Sequence, residues 1–129
     1  MPDNLPEILS EAVSLFRGGD LAGAEQLCRQ VLASQPENAE ALHLLSVIAH
    51  RVGRRGDAIQ LVRKALTHDA DNPAFLNTLG FLLRLERKYQ DAEAALARAL
   101  VLKPDYADAY NNLGIVYAET GDPARAEES

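Results

Sequence analysis

The sequence predicts an all-α protein built from repeated pairs of antiparallel helices. Ala, Leu, Glu and Arg dominate the composition and aromatic residues make up only 5%, a balance that favours helix over sheet. Apolar residues recur three and four positions apart through most of the chain, which is the spacing of amphipathic helices. The same pattern also returns every 34 residues, a period typical of stacked helical repeats.

The repeat is visible as columns of matching residues. Leu79 and Leu113 are 34 residues apart, as are Gly80 and Gly114. An ordinary helical bundle has no reason to repeat at this interval, so a stack of similar units is the better interpretation. Two columns hold small residues, which we expect to let paired helices approach closely. They are Ala12, Ser46, Gly80 and Gly114 in the first helices and Ala24, Ala58, Ala92 and Ala126 in the second.

Each repeat contains a first helix, a short polar break and a second helix. The breaks hold turn-forming or charged residues between two apolar runs, and they centre on Gly18–Asp20, Gly53–Asp57, Glu86–Lys88 and Gly121–Pro123. The predicted helices span 6–17, 20–34, 38–52, 55–68, 73–86, 88–102 and 106–120, with a stub from 122. The repeats cover approximately 5–38, 39–72, 73–106 and a truncated 107–129, and we expect a single domain over 1–129.

These residues resemble the tetratricopeptide repeat (TPR). The strongest match is the run from Asn111 to Tyr117, where Leu-Gly is followed by a Tyr three residues on, and Pro104 closes the preceding unit. The first repeat departs from the family pattern, with Glu11 and Ala12 in place of Leu-Gly. The resemblance implies a right-handed α-solenoid of antiparallel helix pairs, with about 3.5–4 repeats of 34 residues.

The resemblance also implies a peptide-binding groove lined by the first helices. Carried over by position, the lining is Leu9, Val13, His43, Leu44, Val47, His50, Asn77, Thr78, Phe81, Arg84, Asn111, Asn112 and Ile115. An apolar stripe runs through it, flanked by Asn and His side chains that can donate and accept hydrogen bonds to a peptide backbone. The alternative is that part of this stripe belongs to the core.

One variant of the family clamps a C-terminal carboxylate with Lys, Arg and Asn side chains. The matching positions here hold Leu9, Val13, Leu44, Ala74 and Thr78. Because the cations are missing, we do not expect binding of chaperone tails in that way.

Basic residues gather at the ends of the first helices and in the turns that follow. They are Arg51, Arg54, Arg55, Arg84, Arg87 and Lys88. One interpretation is that cations stabilise helix C-termini, by roughly 0.3–1 kcal/mol each. The other is a docking edge for an acidic partner.

The residues predict no catalytic, cofactor or metal site, and we expect a protein that is not an enzyme. His43 and His50 are separated by seven positions on one helix, roughly 10 Å along its axis, which is too far for shared metal ligation. Cys28 shares an apolar column with Val62 and Leu96, so we expect it to be a buried small hydrophobe.

The first residues, the length of the apolar runs and the net charge predict where the protein is located and which partners it lacks. The first residues do not form a signal peptide, and no apolar run approaches the roughly 20 residues that span a bilayer. With a single cysteine, this predicts a cytoplasmic chain without a membrane partner. The net charge of −6 argues against nucleic acid.

We therefore expect a protein–protein interaction scaffold. An alternative is the N-terminal region of a larger bacterial protein, in which these repeats recruit substrates to a glycosyltransferase-like or sulfotransferase-like domain. Residues 40–66 resemble the opening repeats of such proteins. The last repeat lacks most of its second helix, which should expose Leu113, Val116 and Tyr117. This uncapped end predicts a possible homodimer.

Overall fold

The structure, a computed structural model, describes residues 4–121, and that range contains seven α-helices and no strand. They are α1 (Leu5–Arg17), α2 (Leu21–Ser34), α3 (Ala39–Arg51), α4 (Arg55–His68), α5 (Pro73–Leu85), α6 (Tyr89–Leu102) and α7 (Ala107–Glu119). The predicted helices agree with these to within one residue at every boundary, so the all-α prediction is confirmed. The predicted stub from 122 lies outside the described residues.

The chain divides into two compact units, Met1–Asp69 and Ala70–Ser129. The first unit contains α1 to α4 and the second contains α5 to α7. Three-residue turns join α1 to α2, α3 to α4 and α5 to α6. That the whole chain forms one domain stays a prediction.

The turn inside each helix pair has the same backbone structure. Its middle residue has a positive φ, which is 93° at Gly19, 86° at Gly53 and 62° at Arg87. In the second pair, the Gly53 N–H donates to the His50 carbonyl at 3.0 Å and the Arg54 N–H donates to the Ala49 carbonyl at 2.8 Å. This two-bond pattern satisfies carbonyls that have no partner within the ending helix. The 34-residue period of the sequence is therefore also a period of the backbone.

Side-chain caps fix where several helices begin. The carboxylate of Asp20 accepts a bond from the Gly23 N–H at 2.9 Å, at the start of α2. Asn38 caps α3 in the same way at 2.9 Å, and Asn72 caps α5 at 3.2 Å. Such caps satisfy N–H groups that the first turn leaves without a partner.

Small residues bring the two helices of each pair close together. A methyl group added at Gly80 would lie 2.5 Å from Cγ of Leu96, which is fully buried on α6. In the corresponding place of the second pair stands Ser46, whose buried hydroxyl donates to the Ala58 carbonyl at 2.6 Å. The first pair has Ala12, packed in one core cluster with Cys28. The predicted role of the small-residue column is thus confirmed where it can be seen.

Two apolar clusters form part of the core of the first unit. One cluster contains Ala12, Ala24, Cys28, Leu45 and Ile48, which are all buried. The other lies near the start of α1 and contains Leu5, Leu9, Val31 and Ala41. Together they join α1, α2 and α3 through apolar packing.

The same substitution at two nearby glycines should change stability in opposite directions. At Gly53 an added side chain must adopt a left-handed conformation, so Gly53→Ala should lower the free energy of unfolding by about 1 kcal/mol. Gly56 lies in the first turn of α4 with nothing near its absent Cβ. Gly56→Ala should therefore raise the free energy by up to about 1 kcal/mol. Urea denaturation of both variants measures this, and equal signs would contradict it.

Gly80→Ala should destabilise the protein. Overfilling a packed core costs about 1–3 kcal/mol, more than the up to about 1 kcal/mol that Ala gains over Gly by helix propensity. Shortening the opposing side chain with Leu96→Val should recover part of the loss, because Val62 stands at that place in the pair containing Ser46. Denaturation of the two single variants and the double variant tests the coupling. A Gly80→Ala variant as stable as the parent would contradict the close approach.

Candidate functional site

The predicted groove residues divide between the two units, and one of them is not on the surface. Leu9 is only 9% exposed and packs in the core cluster with Leu5, Val31 and Ala41. Leu44 is half-buried and packs against the larger cluster. Leu9 therefore follows the alternative interpretation, in which part of the stripe is core, and Leu44 does so only in part.

In the first unit, the remaining predicted residues are half-buried on α1 and α3. They are Val13, His43, Val47 and His50. Near the ends of the two helices, the Arg51 guanidinium lies over the Phe16 ring, 5.2 Å from its centroid. This face is therefore mainly apolar, with polar groups from the two histidines.

Both histidines are held in their neutral form at pH 7. Burial lowers the pKa of His43 from 6.5 to about 4. The pKa of His50 is also lowered, first by burial and then by the positive charges of Arg55 and Arg51. A neutral imidazole offers one donor and one acceptor, so it can bond to a peptide without adding charge.

In the second unit, two predicted asparagines bond to each other across α5 and α7. The Asn112 side-chain amide donates to the Asn77 side-chain oxygen at 2.9 Å. Asn77 also makes a side-chain hydrogen bond to Tyr106, which partly offsets the rise in the pKa of Tyr106 caused by burial and by the Asp108 charge. Asn111 is exposed beside this pair, and Thr78 is half-buried. Asn77 and Asn112 therefore form a fixed polar pair.

At the other end of the same two helices, Arg84 meets Glu119. Its Nη1 lies 3.3 Å from Oε2 of Glu119, and its side chain is only 13% exposed. The guanidinium also lies over the Phe81 ring, 5.3 Å from the centroid. Within the described part of the chain, its Nε is buried without a hydrogen-bond partner. The sequence predicted Arg84 as a lining residue and gave no sign of the pairing with Glu119.

These contacts define what we call the α5/α7 face. Its polar ends are the pairs Asn77–Asn112 and Arg84–Glu119, with the half-buried Phe81 and Ile115 between them. The two ends are seven residues apart on each helix, which is roughly 10 Å along the axis. A surface with this order of groups can bind both the backbone and the side chains of a short peptide segment.

Beside Arg84 lies a pocket of about 420 Å³. It is lined by Arg84, Leu85, Arg87, Tyr89 and Glu119. The first unit has a separate pocket of about 320 Å³, with an apolar floor that includes Leu45, Ile48 and Leu61 and a charged rim that includes Lys64. None of the predicted groove residues lines that second pocket.

Cys28 has the environment of a packing residue. It is fully buried in the core cluster, and burial raises the pKa of its thiol to about 11. Within residues 4–121, no group of three or more His, Cys, Asp or Glu side chains is placed to hold a metal ion. None of the helices in the same range combines the length and apolar character needed to cross a membrane.

The prediction that α7, the first helix of the last repeat, exposes its apolar residues is wrong for Leu113 and Val116. Leu113 is 8% exposed and Val116 is 1% exposed. Tyr117 is half-buried, and its hydroxyl donates to the Glu93 carboxylate. Homodimer formation through the end of the chain stays a prediction, without the exposed residues that motivated it.

Comparison with known proteins identifies the repeat. Residues 11–129 match the family described as the cilia and flagella-associated protein 70 middle TPR-like domain. No curated protein sequence matches the chain. Many solved structures have similar folds; three of them are described next, and the first two of these also have related sequences.

A mutant O-GlcNAc transferase of Thermobaculum terrenum is 32% identical with a TM-score of 0.86, over 89% of this chain and 22% of that one. MamA is 32% identical with a TM-score of 0.80, over 91% of this chain and 68% of its own. The first TPR of Spaghetti (RPAP3), bound to an HSP90 peptide, has a TM-score of 0.87 over 92% of this chain and 97% of that one. Its 15% identity shows similarity of fold alone. The chain spans about a fifth of the length of the O-GlcNAc transferase.

Lowering the pH should destabilise the protein in part through His43. Its pKa is about 4 in the folded state against 6.5 as the ordinary value, so the unfolded chain binds a proton first as the pH falls. This contribution to stability is complete above pH 6.5 and is lost as the pH falls toward 4. His43→Gln should therefore lose less stability than the parent between pH 7 and 4.5.

Urea denaturation at a series of pH values measures this difference. His68→Gln is the matched control, since His68 is exposed at the end of α4, and it should follow the parent curve. An identical pH dependence in His43→Gln and the parent would contradict the prediction.

Proposed function

The chain belongs to the TPR family, through its match to a TPR-like domain over residues 11–129, and is a protein-interaction scaffold; we propose that its ligand is an extended peptide bound on the first helices. The observation that carries this proposal is the α5/α7 face. It presents a fixed amide pair, an apolar centre and a guanidinium in a row. An extended chain advances about 3.3 Å per residue, so about three peptide residues span the distance between the two polar ends.

Each group on this face has a defined role in the proposed complex. The Asn77 oxygen accepts one bond from Asn112, and an amide oxygen has room for a second donor, such as a peptide N–H. The second N–H of the Asn112 amide is able to donate to a peptide carbonyl. Phe81 and Ile115 pack against an apolar side chain between these bonds and Arg84.

In the first unit, the proposal places a similar segment on the face of α1 and α3. Val13 and Val47 provide apolar contact there, and neutral His43 and His50 provide hydrogen bonds. Leu9 has no part in it because it is core.

The similar fold of the RPAP3 domain, bound to a peptide, supports a peptide as the kind of ligand. The sequence lacks the cations of the carboxylate clamp at the matching positions, so the proposal places recognition on the asparagine pair and its neighbours. No enzymatic role follows for these residues.

A second candidate is a substrate-recruiting arm of a larger enzyme. The 32% identity to O-GlcNAc transferase, of which the chain matches 22%, favours it. The reading frame beyond residue 129 tests this candidate. A transferase domain there would support it, and a stop codon would contradict it.

Replacing the paired asparagines should weaken peptide binding. We would screen an array of acetylated, amidated nonapeptides against the whole chain and measure Kd for the best binder by fluorescence anisotropy. Asn77→Ala and Asn112→Ala should each raise Kd about tenfold, the effect of losing hydrogen bonds worth about 1.5 kcal/mol. Asn111→Ala, which changes an exposed neighbour, should have a smaller effect.

The matched control is Gln90→Ala, which removes an exposed amide from α6 in the same unit. It should leave Kd unchanged, and circular dichroism should show that all variants are folded. Equal Kd values for the parent and both asparagine variants would contradict the proposed site.

A further inference from the structure

We propose that Arg84 binds an Asp or Glu side chain of the peptide, and that Glu119 occupies this position as an internal substitute in the free protein. This proposal rests on the proposed function, since it names one feature of the same peptide. It assigns a preference for acidic residues to one end of the α5/α7 face.

The first argument is the incomplete bonding of a largely buried cation. The side chain of Arg84 is 13% exposed, and its Nη1 lies 3.3 Å from Oε2 of Glu119. Its Nε is buried and has no hydrogen-bond partner among residues 4–121. A guanidinium carries five N–H donors arranged to bind a carboxylate with two parallel bonds. Buried polar groups are nearly always bonded, so this nitrogen indicates a site that is completed by something else.

The second argument is the space beside Arg84. The pocket of about 420 Å³ has Arg84 and Arg87 in its wall, together with the half-buried Tyr89. Among residues 4–121, Glu119 is its single acidic wall residue. A side chain entering this pocket therefore meets two cations and an aromatic ring, and an incoming carboxylate has to replace Glu119.

The third argument is that Glu119 is easily displaced. Its side chain is 40% exposed and belongs to the last residue of α7. Ion pairs with an exposed partner are weak, so exchanging Glu119 for a ligand carboxylate loses little. The ring of Phe81 under the guanidinium fixes one face of Arg84, and two parallel bonds from an immobilised guanidinium are strong.

A carboxylate is the chemistry that the structure favours, because the group now at Arg84 is itself a carboxylate. The position of the acidic residue along the peptide also follows from the geometry of the face. The acidic residue should lie about three residues along the peptide from the one that bonds to Asn77 and Asn112, since about 10 Å separates the two ends of the face.

The test uses the best peptide from the nonapeptide array, remade with Glu, Gln or phosphoserine at its acidic position. Blocking both peptide ends ensures that only side chains supply carboxylates. Kd for each probe would be measured with the parent chain and with Arg84→Gln, Glu119→Gln and Lys88→Gln. Lys88 is an exposed cation at the neighbouring turn, so its variant controls for a general loss of positive charge.

We expect the parent to prefer the Glu probe over the Gln probe about tenfold. Arg84→Gln should lose the preference, and Lys88→Gln should keep it. Glu119→Gln, which leaves the cation in place and removes its competitor, should bind the Glu probe several-fold more tightly than the parent. This exposed substitution keeps the test valid if Arg84→Gln is unfolded.

An undiminished preference in folded Arg84→Gln, or unchanged affinity for the Glu probe in Glu119→Gln, would overturn the proposal. A phosphoserine probe bound more tightly than the Glu probe would overturn the choice of a carboxylate. Binding that depends on Asn77 without any acidic preference would overturn this proposal alone. Failure of every array peptide to bind would overturn the proposed function and this proposal with it.

Discussion

The close approach of the two helices in each pair is the constraint on which the other features depend. Gly80 leaves room for the fully buried Leu96, and no side chain at Gly80 fits without a shift. In the other two pairs, Ser46 stands with Val62 and Ala12 with Cys28, all of them fully buried. The smallest of the three first-helix residues, Gly80, thus stands opposite the largest of the second-helix residues, Leu96. Cores tolerate changes that conserve volume, so Leu96 fits where Gly80 leaves room.

The turn between paired helices supports the same geometry through the backbone. A residue with positive φ ends the first helix after a fixed number of turns, and the second helix then begins three residues later. Gly fills this position at 19 and 53, whereas Arg87 fills it at φ 62° in the third pair. A left-handed non-glycine residue costs about 1–2 kcal/mol. Because the fold retains Arg87 in this turn despite that cost, the packing of the helices determines the turn more strongly than the identity of the turn residue does.

The sequence predicted the helices well because several independent signals agree at each boundary. The apolar spacing, the turn residues and the 34-residue period all point to the same limits. The burial of Leu9 was not predicted, since a period alone does not tell which part of a first-helix stripe is covered. Burial there depends on Val31 and Ala41 from other helices.

The side-chain pairings between successive first helices could not be predicted from the repeat alone. Side chains on successive first helices meet 35 residues apart, in Asn77–Asn112, Arg84–Glu119 and Phe16–Arg51. Residues at equivalent positions of successive repeats are 34 apart. Aligning the repeats therefore matches each residue with the one that comes just before its actual contact in the sequence. Which side chains meet depends on the offset between packed helices and on the side-chain rotamers, and neither can be deduced from the 34-residue period.

The structure separates two kinds of cation that the sequence grouped together. Arg54, Arg87 and Lys88 are exposed in the turns that follow first helices, and Arg51 is exposed in the last turn of α3, where favourable interaction with the helix dipole is a sufficient reason for it. That reason requires charge near the last turn and does not require burial. Arg84 has lost most of its contact with water and lies over an aromatic ring, and its Nε finds no partner among residues 4–121. Desolvating a cation is unfavourable unless it gains bonds in return, so helix-end electrostatics does not account for Arg84, whereas the proposed carboxylate ligand would.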